Sequence, residues 1–547
     1  MDLSKYCNMP VGGTDALGKT IPAPALVSTR RENKTVGLFY FLWLCEGNKR
    51  LFDVSKITDA DPNAGYKGDD PMWGRVGDYH YWGEPFYGYY SMTDEWVVRR
   101  HMKLIMEADI DFLFFDTTNA VVYENICHIV MRVLREYANE GFKIPKVMFY
   151  TNTASGATVR RIYDEFYKPG LYKETWYMWG GKPVIIAIPE ECDEETKAFF
   201  TIKLAQWPNE PTKQGGWPWM DFEKPQRVFE NLDGVPESIN VSVAQHPQIR
   251  FGDSVMYGET TNCGRAWHNG ANDTEPYAYT KCYNFNEQFD RALETDPPVV
   301  LVTGWNEWIA GRWQGPPDRP LMFVDCANYE FSRDIEMMKG GYFDNYFMSL
   351  ISYVRRYKGS DPVPSALPGE KVDFKGFSDG AFKRDCYGWT EKQHYVNDTM
   401  RCSIEGVTVS HNGSDITFEI TADRIPEKSG AFFNIFIATG KKPGYDFVAN
   451  YCDCEVARII RPLPDGTPIR PCDALDYTVP AGKNSLEISG NTVKVSFPLS
   501  LIGMENGGEL LFKVCDSKVP YERIDDFYDK GDVLPMGRPG FILRIEQ

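Results

Sequence analysis

The chain has 547 residues, and its 59 Lys and Arg against 77 Asp and Glu leave a formal charge of −18. That length predicts more than one domain, and a hydrophobic content of 43% excludes a largely disordered chain. The acidic balance argues against duplex DNA or an anionic membrane surface as partner, because both need basic faces. The 14% aromatic content fills a core first, but many rings stand beside Gly, Asn, Asp and His in turn-like stretches, as expected of a cleft with flat apolar walls.

The first residues, MDLSKYCNMPVGG, contain no apolar stretch of the kind found in secretory leaders. Apolar runs such as Phe112–Phe115 and Pro183–Ile188 fall far short of the ~20 residues that span a bilayer. The 13 cysteines are scattered and odd in number, which favours reduced thiols and a cytoplasmic location. Residues 1–35 are expected to form an extension packed on the domain that follows.

From residue 36 to residue 358 short apolar runs alternate with helical patterns. Val36–Trp43 reads as a buried strand, and Val97, His101, Leu104, Ile105 and Ala108 recur at helical spacing. Asp111–Asp116 is a strand, Tyr123–Tyr137 a helix, Lys146–Asn152 a strand and Val159–Phe166 a helix. Pro183–Pro189, Ile202–Trp207 and Ile239–Gln245 read as strands, Asn284–Glu294 as a helix and Val299–Thr303 as the last strong strand. Near-continuous apolar strands alternating with helices predict an α/β domain with a parallel sheet covered on both faces, and about seven such units predict a (β/α)₈ barrel. A doubly wound open sheet is the alternative, but no GxGxxG turn follows the first strand.

Residues 359–376 contain Pro362, Pro364 and Pro368 and read as a linker. Over residues 377–547, runs such as Ile416–Ala422, Phe432–Ala438, Val493–Phe497 and Leu510–Cys515 alternate in the manner of an antiparallel β-sandwich. The change of pattern across the linker predicts that a chain ending near Lys358 folds alone.

Function in a parallel barrel lies where the strands end, because the loops there converge on one face. Reading past each strand collects Trp43 and Glu46, then Asp116, Thr117 and Asn119, then Asn152, Glu190, Glu191 and His246, and finally Trp305, Asn306, Glu307 and Trp308. Carboxylates that move protons, indoles that stack on pyranose rings and Asn or His that hold hydroxyls suit sugar chemistry. Glu307, between two indoles, is expected to have the raised pKa of a general acid, the competing reading being an ion pair with Arg312. Asp116 is the first candidate for the second carboxylate and Glu190 the reserve. Trp43, Trp82, Trp305 and Trp308 are candidate stacking rings. His80, Asn119, His246, Asn306 and Arg312 are candidate polar ligands, with Glu84 in the same aromatic loop as His80 and Trp82. Ser332 and Glu336 read as capping chemistry ahead of a helix. Cys452 and Cys454 form a lone CxC without the spacing of a zinc site, and no HExxH, P-loop or GxSxG is present, so neither metal nor cofactor is expected.

The ordered motifs VGLFYFLW, His80–Tyr90, Phe114–Asn119, Trp305–Trp308 and Phe323–Tyr346 resemble a bacterial group related to the WbsX-like and endo-α-mannosidase-like glycoside hydrolases. The resemblance spans roughly residues 30–358 and implies a (β/α)₈ barrel acting on glycans. In the mannosidases the motif resembles Asn-Glu-Trp-x-Glu, with two catalytic glutamates. The first maps onto Glu307 and the second falls on Ala310. More loosely, the C-terminal region resembles a family-nine-type carbohydrate-binding module. The expected function is therefore a glycoside hydrolase with an oligo- or polysaccharide substrate. A non-catalytic glycan-binding barrel and a glycosyltransferase are the alternatives.

Overall fold

The structure is a computed structural model that describes residues 9–44, 50–247, 253–257, 261–440, 443–460, 463 and 478–547. Eight parallel strands lie in sequence order around a barrel: β1 (Thr35–Tyr40), β2 (Phe112–Thr117), β3 (Lys146–Thr151), β4 (Lys182–Ala187), β5 (Thr201–Gln206), β6 (Gly216–Pro218), β7 (Pro236–Ser242) and β8 (Val299–Trp305). β8 pairs with both β1 and β7. The remaining gap, between β6 and β7, is narrowed by Val228–Glu230, which runs antiparallel to β7 and accepts a 2.7 Å backbone bond at the Glu230 carbonyl from Gly215.

Alternation along each strand separates two layers. Phe39, Phe112, Phe114, Met148, Tyr150, Ile186, Trp217 and Leu301 fill the barrel interior. Leu38, Leu113, Val147, Ile185 and Val300 face the outer helices. These include α1 (Glu95–Glu107), α2 (Glu124–Asn139), α3 (Ser155–Ile162), α4 (Glu194–Phe199), α5 (Tyr283–Thr295) and α6 (Asn345–Lys358). An interior this aromatic needs room, and Gly37 supplies it: a Cβ there would stand 2.1 Å from the Phe112 ring. β6 is only three residues long and follows β5 without an intervening helix, so no periodic pattern announces it.

Beyond the barrel lie two further large sheets. The larger runs Val11–Gly12, Gly540–Ile545, Gly508–Ser517, Ala431–Ala438, Phe447–Tyr451, Glu455–Ile459 and Thr478–Lys483. The smaller runs Lys371–Lys375, Ile404–His411, Asp415–Ala422, Thr492–Pro498 and Ser485–Ser489. Phe374 and Phe418 of the smaller meet Phe512 of the larger at ring separations of 4.8 and 5.3 Å. The linker expectation is corrected here: Ser365–Ala366 pairs with Gly540–Ile545, and Lys371–Lys375 pairs with Ile404–His411, so this stretch is built into the sheets. The N-terminal extension touches the barrel through the Arg30–Asp109 pair, but it also adds the edge strand Val11–Gly12 to the larger sheet.

The barrel and the C-terminal sheets share one apolar core and several buried ionic contacts. Arg538 holds Asp344 through two bonds of 2.6 and 3.0 Å, and the Tyr528 hydroxyl donates to the same carboxylate at 2.8 Å. Arg384 reaches Asp94 at 2.6 Å, and Glu107 accepts from the Met536 amide at 2.6 Å. Removing one partner of a buried pair typically costs about 3–5 kcal/mol. A chain ended at Lys358 would lose these partners and expose the apolar face of the shared core, so we expect it not to fold alone. Limited proteolysis should find that truncated barrel rapidly digested or insoluble under conditions where the whole chain resists.

Candidate active site

The site begins with an irregularity in β8. Val302 lies opposite Leu38 of β1, yet Trp305 lies opposite Tyr40, so three residues of β8 span two of its neighbour. An extra residue re-aims the side chains that follow it. Trp305 turns away from the interior and packs edge-on to His101 at 5.6 Å and to Phe347 at 6.1 Å, under α1 and α6. Asn306 adopts φ +63°, a left-handed conformation that Asn tolerates better than most residues. Its side-chain amide is spent on the Phe41 backbone, accepting from N at 3.0 Å and donating to O at 2.9 Å. The bulge and this clamp deliver Glu307 to the mouth.

Glu307 is 2% exposed, and its carboxylate is held by Arg333, with Nε to Oε2 at 2.7 Å and Nη2 to Oε1 at 2.6 Å. The ion pair foreseen with Arg312 is not formed; the partner is Arg333, which also meets Asp325 at 3.0 Å. Burial pushes the Glu307 pKa from 4.5 to about 7; Arg333 pulls it back, and the charges of Asp325 and Asp116 push it up. Sequence reasoning misses Arg333 because the stretch around it reads as helix-capping chemistry. In fact Phe331–Met337 is not helical. It lies against the bulge, with Gly304 donating to the Arg333 carbonyl at 3.3 Å and Ile335 to the Gly304 carbonyl at 3.0 Å. Ser332 accepts from Arg265 at 2.9 Å and caps nothing. The available signal is the charge pattern Arg333, Asp334, Glu336 inside an otherwise apolar and aromatic motif.

Several expected substrate ligands are structural. Trp82 and Trp308 are fully buried and stack on each other at 4.6 Å. Trp82 Nε1 donates to the Glu307 carbonyl at 3.0 Å and to Asp334 at 3.1 Å, while Trp308 Nε1 donates to Glu336 at 2.5 Å. Glu336 also accepts from Tyr90 at 2.7 Å and meets His101 at 2.9 Å. His80 is buried on Phe52, and desolvation lowers its pKa to about 4. Arg312 clamps the carbonyls of Gly68, Trp73 and Gly74. Glu84 pairs with Lys56 and Lys339 at the surface, and Ala310 pairs in register with His80, buried. Glu190 is exposed on the short turn Pro189–Glu191 and does not enter the Glu307–Arg333 cluster. Asn119 is exposed beyond β2, and Glu46 lies outside the described residues.

What the mouth does bring together is a different set. Asp116, half-buried at the end of β2, accepts from the Thr118 amide at 3.0 Å and hydroxyl at 2.7 Å. Burial raises its pKa, Asp325 adds to the rise and Arg333 opposes it. Asp325 has a 40% exposed side chain. His246, past β7, is buried, and neither ring nitrogen makes a well-formed hydrogen bond among the described residues. Burial and the nearby Arg333 charge hold its pKa well below the usual imidazole value, so it is neutral. Trp219, past β6, lies under the Arg333 guanidinium at 5.3 Å and 5.5 Å from Phe39. Trp43, past β1, is half-buried against Phe41. Among the described residues no three His, Cys, Asp or Glu converge in a way that could hold a metal ion.

Because the folded chain keeps a proton on Glu307 that the unfolded chain releases above pH ~4.5, this residue favours the folded state in acid. That contribution fades as pH rises to about 7. Thermal melts from pH 4.5 to 8 should show a decline that Glu307→Gln makes shallower; equal slopes would contradict the raised pKa.

No protein-family model and no curated protein matches the chain. Two solved structures of the GH99 endo-α-mannosidase from Bacteroides thetaiotaomicron, one of them in complex with bis-tris propane, share 15% identity with it. They cover 59% of this chain and 96–97% of their own, with TM-scores of 0.35 and 0.37, a likeness too loose to fix fold or function.

Proposed function

We propose that the protein is a glycoside hydrolase whose acid and base are the carboxylates around Arg333. The observation that carries the reading is the grouping of Asp116, Asp325 and Glu307 at the C-terminal mouth of a parallel barrel, with indole surfaces beside them. Both oxygens of Glu307 are occupied by Arg333, whereas Asp116 and Asp325 are partly exposed. Asp116, with its raised pKa, is the acid that protonates the departing glycosidic oxygen. Asp325, anchored by Arg333, faces the developing oxocarbenium ion or activates water. Glu307 acts through Arg333 and is a positioning residue, a change from the role the motif alone suggests. The C-terminal sheets suit a β-sandwich module that holds glycan, and the hairpin Arg384–Asn397 brings Trp389 against Tyr79 and Tyr81 near the mouth.

The test is release of new reducing ends from a panel of glycans and aryl glycosides. Asp116→Asn and Asp325→Asn should each lower kcat by ~10²–10⁴-fold, the usual worth of general acid–base catalysis. Glu307→Gln should lose less, because Arg333 keeps its own contact with Asp325. Full activity of Asp325→Asn with none in Glu307→Gln would return the acid's role to Glu307. Binding without any turnover would favour a glycan-binding barrel.

A further inference from the structure

Outside the carboxylate cluster the rim carries aromatic surface that the fold leaves uncovered. Tyr79 is 39% exposed and Trp313 50% exposed. They belong to the strand Tyr79–Tyr81 and to the segment following its partner strand Ile309–Gly311, where Gly311 pairs directly with Tyr79. Both rings converge on that glycine: Trp313 Nε1 and a Tyr79 ring carbon lie 3.7 and 3.8 Å from where its side chain would begin. Tyr79 is held upright by two edge-on neighbours, Trp43 at 6.0 Å and the buried Trp389 of the C-terminal hairpin at 6.4 Å. Trp389 is itself braced edge-on by Tyr81 at 5.5 Å.

Packing through buried rings links this surface to the mouth. Trp43 stacks on Phe41 at 6.2 Å, Phe41 packs on Phe39, and Phe39 on Trp219 beneath Arg333. Ile309–Gly311 also begins two residues after Glu307, so one short segment ties rim to cluster. The charges beside the rim are mixed, Asp69 and Asp78 facing Arg312, and the formal charge of −18 on the chain disfavours a polyanion as occupant. A pyranose fits: its C–H face stacks on an aromatic ring, and its hydroxyls remain in water at the edge.

We propose that Tyr79 and Trp313, with Trp43 between them and the mouth, form a stacking platform for a sugar unit of a neutral oligo- or polysaccharide, beyond the units held at the carboxylates. The proposal rests on the glycosidase reading for its occupant. The C-terminal hairpin takes part by fixing Tyr79, so the region beyond the barrel shapes how substrate is held.

Affinity gel electrophoresis in soluble starch, dextran, laminarin, xyloglucan and α-mannan tests binding apart from catalysis. At least one of these should retard the wild-type chain, with Trp313→Ala and the Tyr79→Ala/Trp313→Ala double variant binding that polysaccharide about tenfold more weakly. Trp313→Phe should restore most of the retardation, and circular dichroism should show all variants folded; Trp313 is exposed enough for its single variant to stand if the double one fails to fold. An unretarded wild type, or a Trp313→Ala chain retarded like wild type, would overturn the platform. So would loss of retention on a phenyl matrix in Trp313→Ala without any polysaccharide binding, which would mark a protein contact instead. If wild type cleaves glycan while Trp313→Ala binds normally, the platform fails and the hydrolase reading survives. Trp313-dependent retardation without turnover would uphold the platform and overturn the hydrolase reading.

Discussion

A guanidinium and a carboxylate sealed away from water dominate this molecule. Arg333 and Glu307 are both almost wholly buried and meet through two parallel hydrogen bonds. Desolvating two charges costs several kcal/mol each, and the pair is tolerable only when geometry and neighbouring polar groups are right. Much of the surrounding structure meets that demand. The bulge in β8 and the Asn306 clamp aim Glu307, and the segment from Ser332 to Glu336 threads beside the bulge to present Arg333. Asp334 and Glu336, next along it, collect the indole protons of Trp82 and Trp308, so the buried charges continue as a chain of satisfied acceptors.

That arrangement explains why the tryptophan-rich motif misleads. Trp305, Trp308 and Trp82 have the composition of a sugar-binding wall, yet Trp82 and Trp308 are consumed beside the ion pair and Trp305 is packed under the outer helices. His80, Asn306, Arg312 and Glu84 have the chemistry of sugar ligands, and each is instead committed to backbone carbonyls, amides or surface lysines. Of the rings left for a ligand, Trp43 closes a motif, whereas Tyr79 and Trp313 lie on short strands at the rim that no motif marks.

The barrel strands are legible in the sequence because strands buried on both faces leave near-continuous apolar runs, as in Phe112–Phe115 and Val299–Val302. β6, with Gly216, Trp217 and Pro218, has too few residues to show a period. Position past a strand is enough to gather Asp116, Glu307, His246 and Trp43 at one mouth, since that inference needs only the direction of the chain. It could not reveal Arg333 or Asp325, which come from the long excursion after β8, where no regular element sets the register. The proline-containing stretch after Lys358 reads as a linker because proline weakens strands; here Pro362, Pro364 and Pro368 flank short edge pairings and do not interrupt a central strand.

The pairing of Val11–Gly12 with Gly540–Ile545 has a consequence for how the molecule is assembled. The earliest described strand finds its neighbour only when one of the latest has been made, so the barrel is enclosed between the two halves of a single long-range contact. Such contacts pay their loop-closure entropy late and slow the final stage of folding. The same geometry makes the topology nearly circular: the two termini of the described fold lie side by side in one sheet.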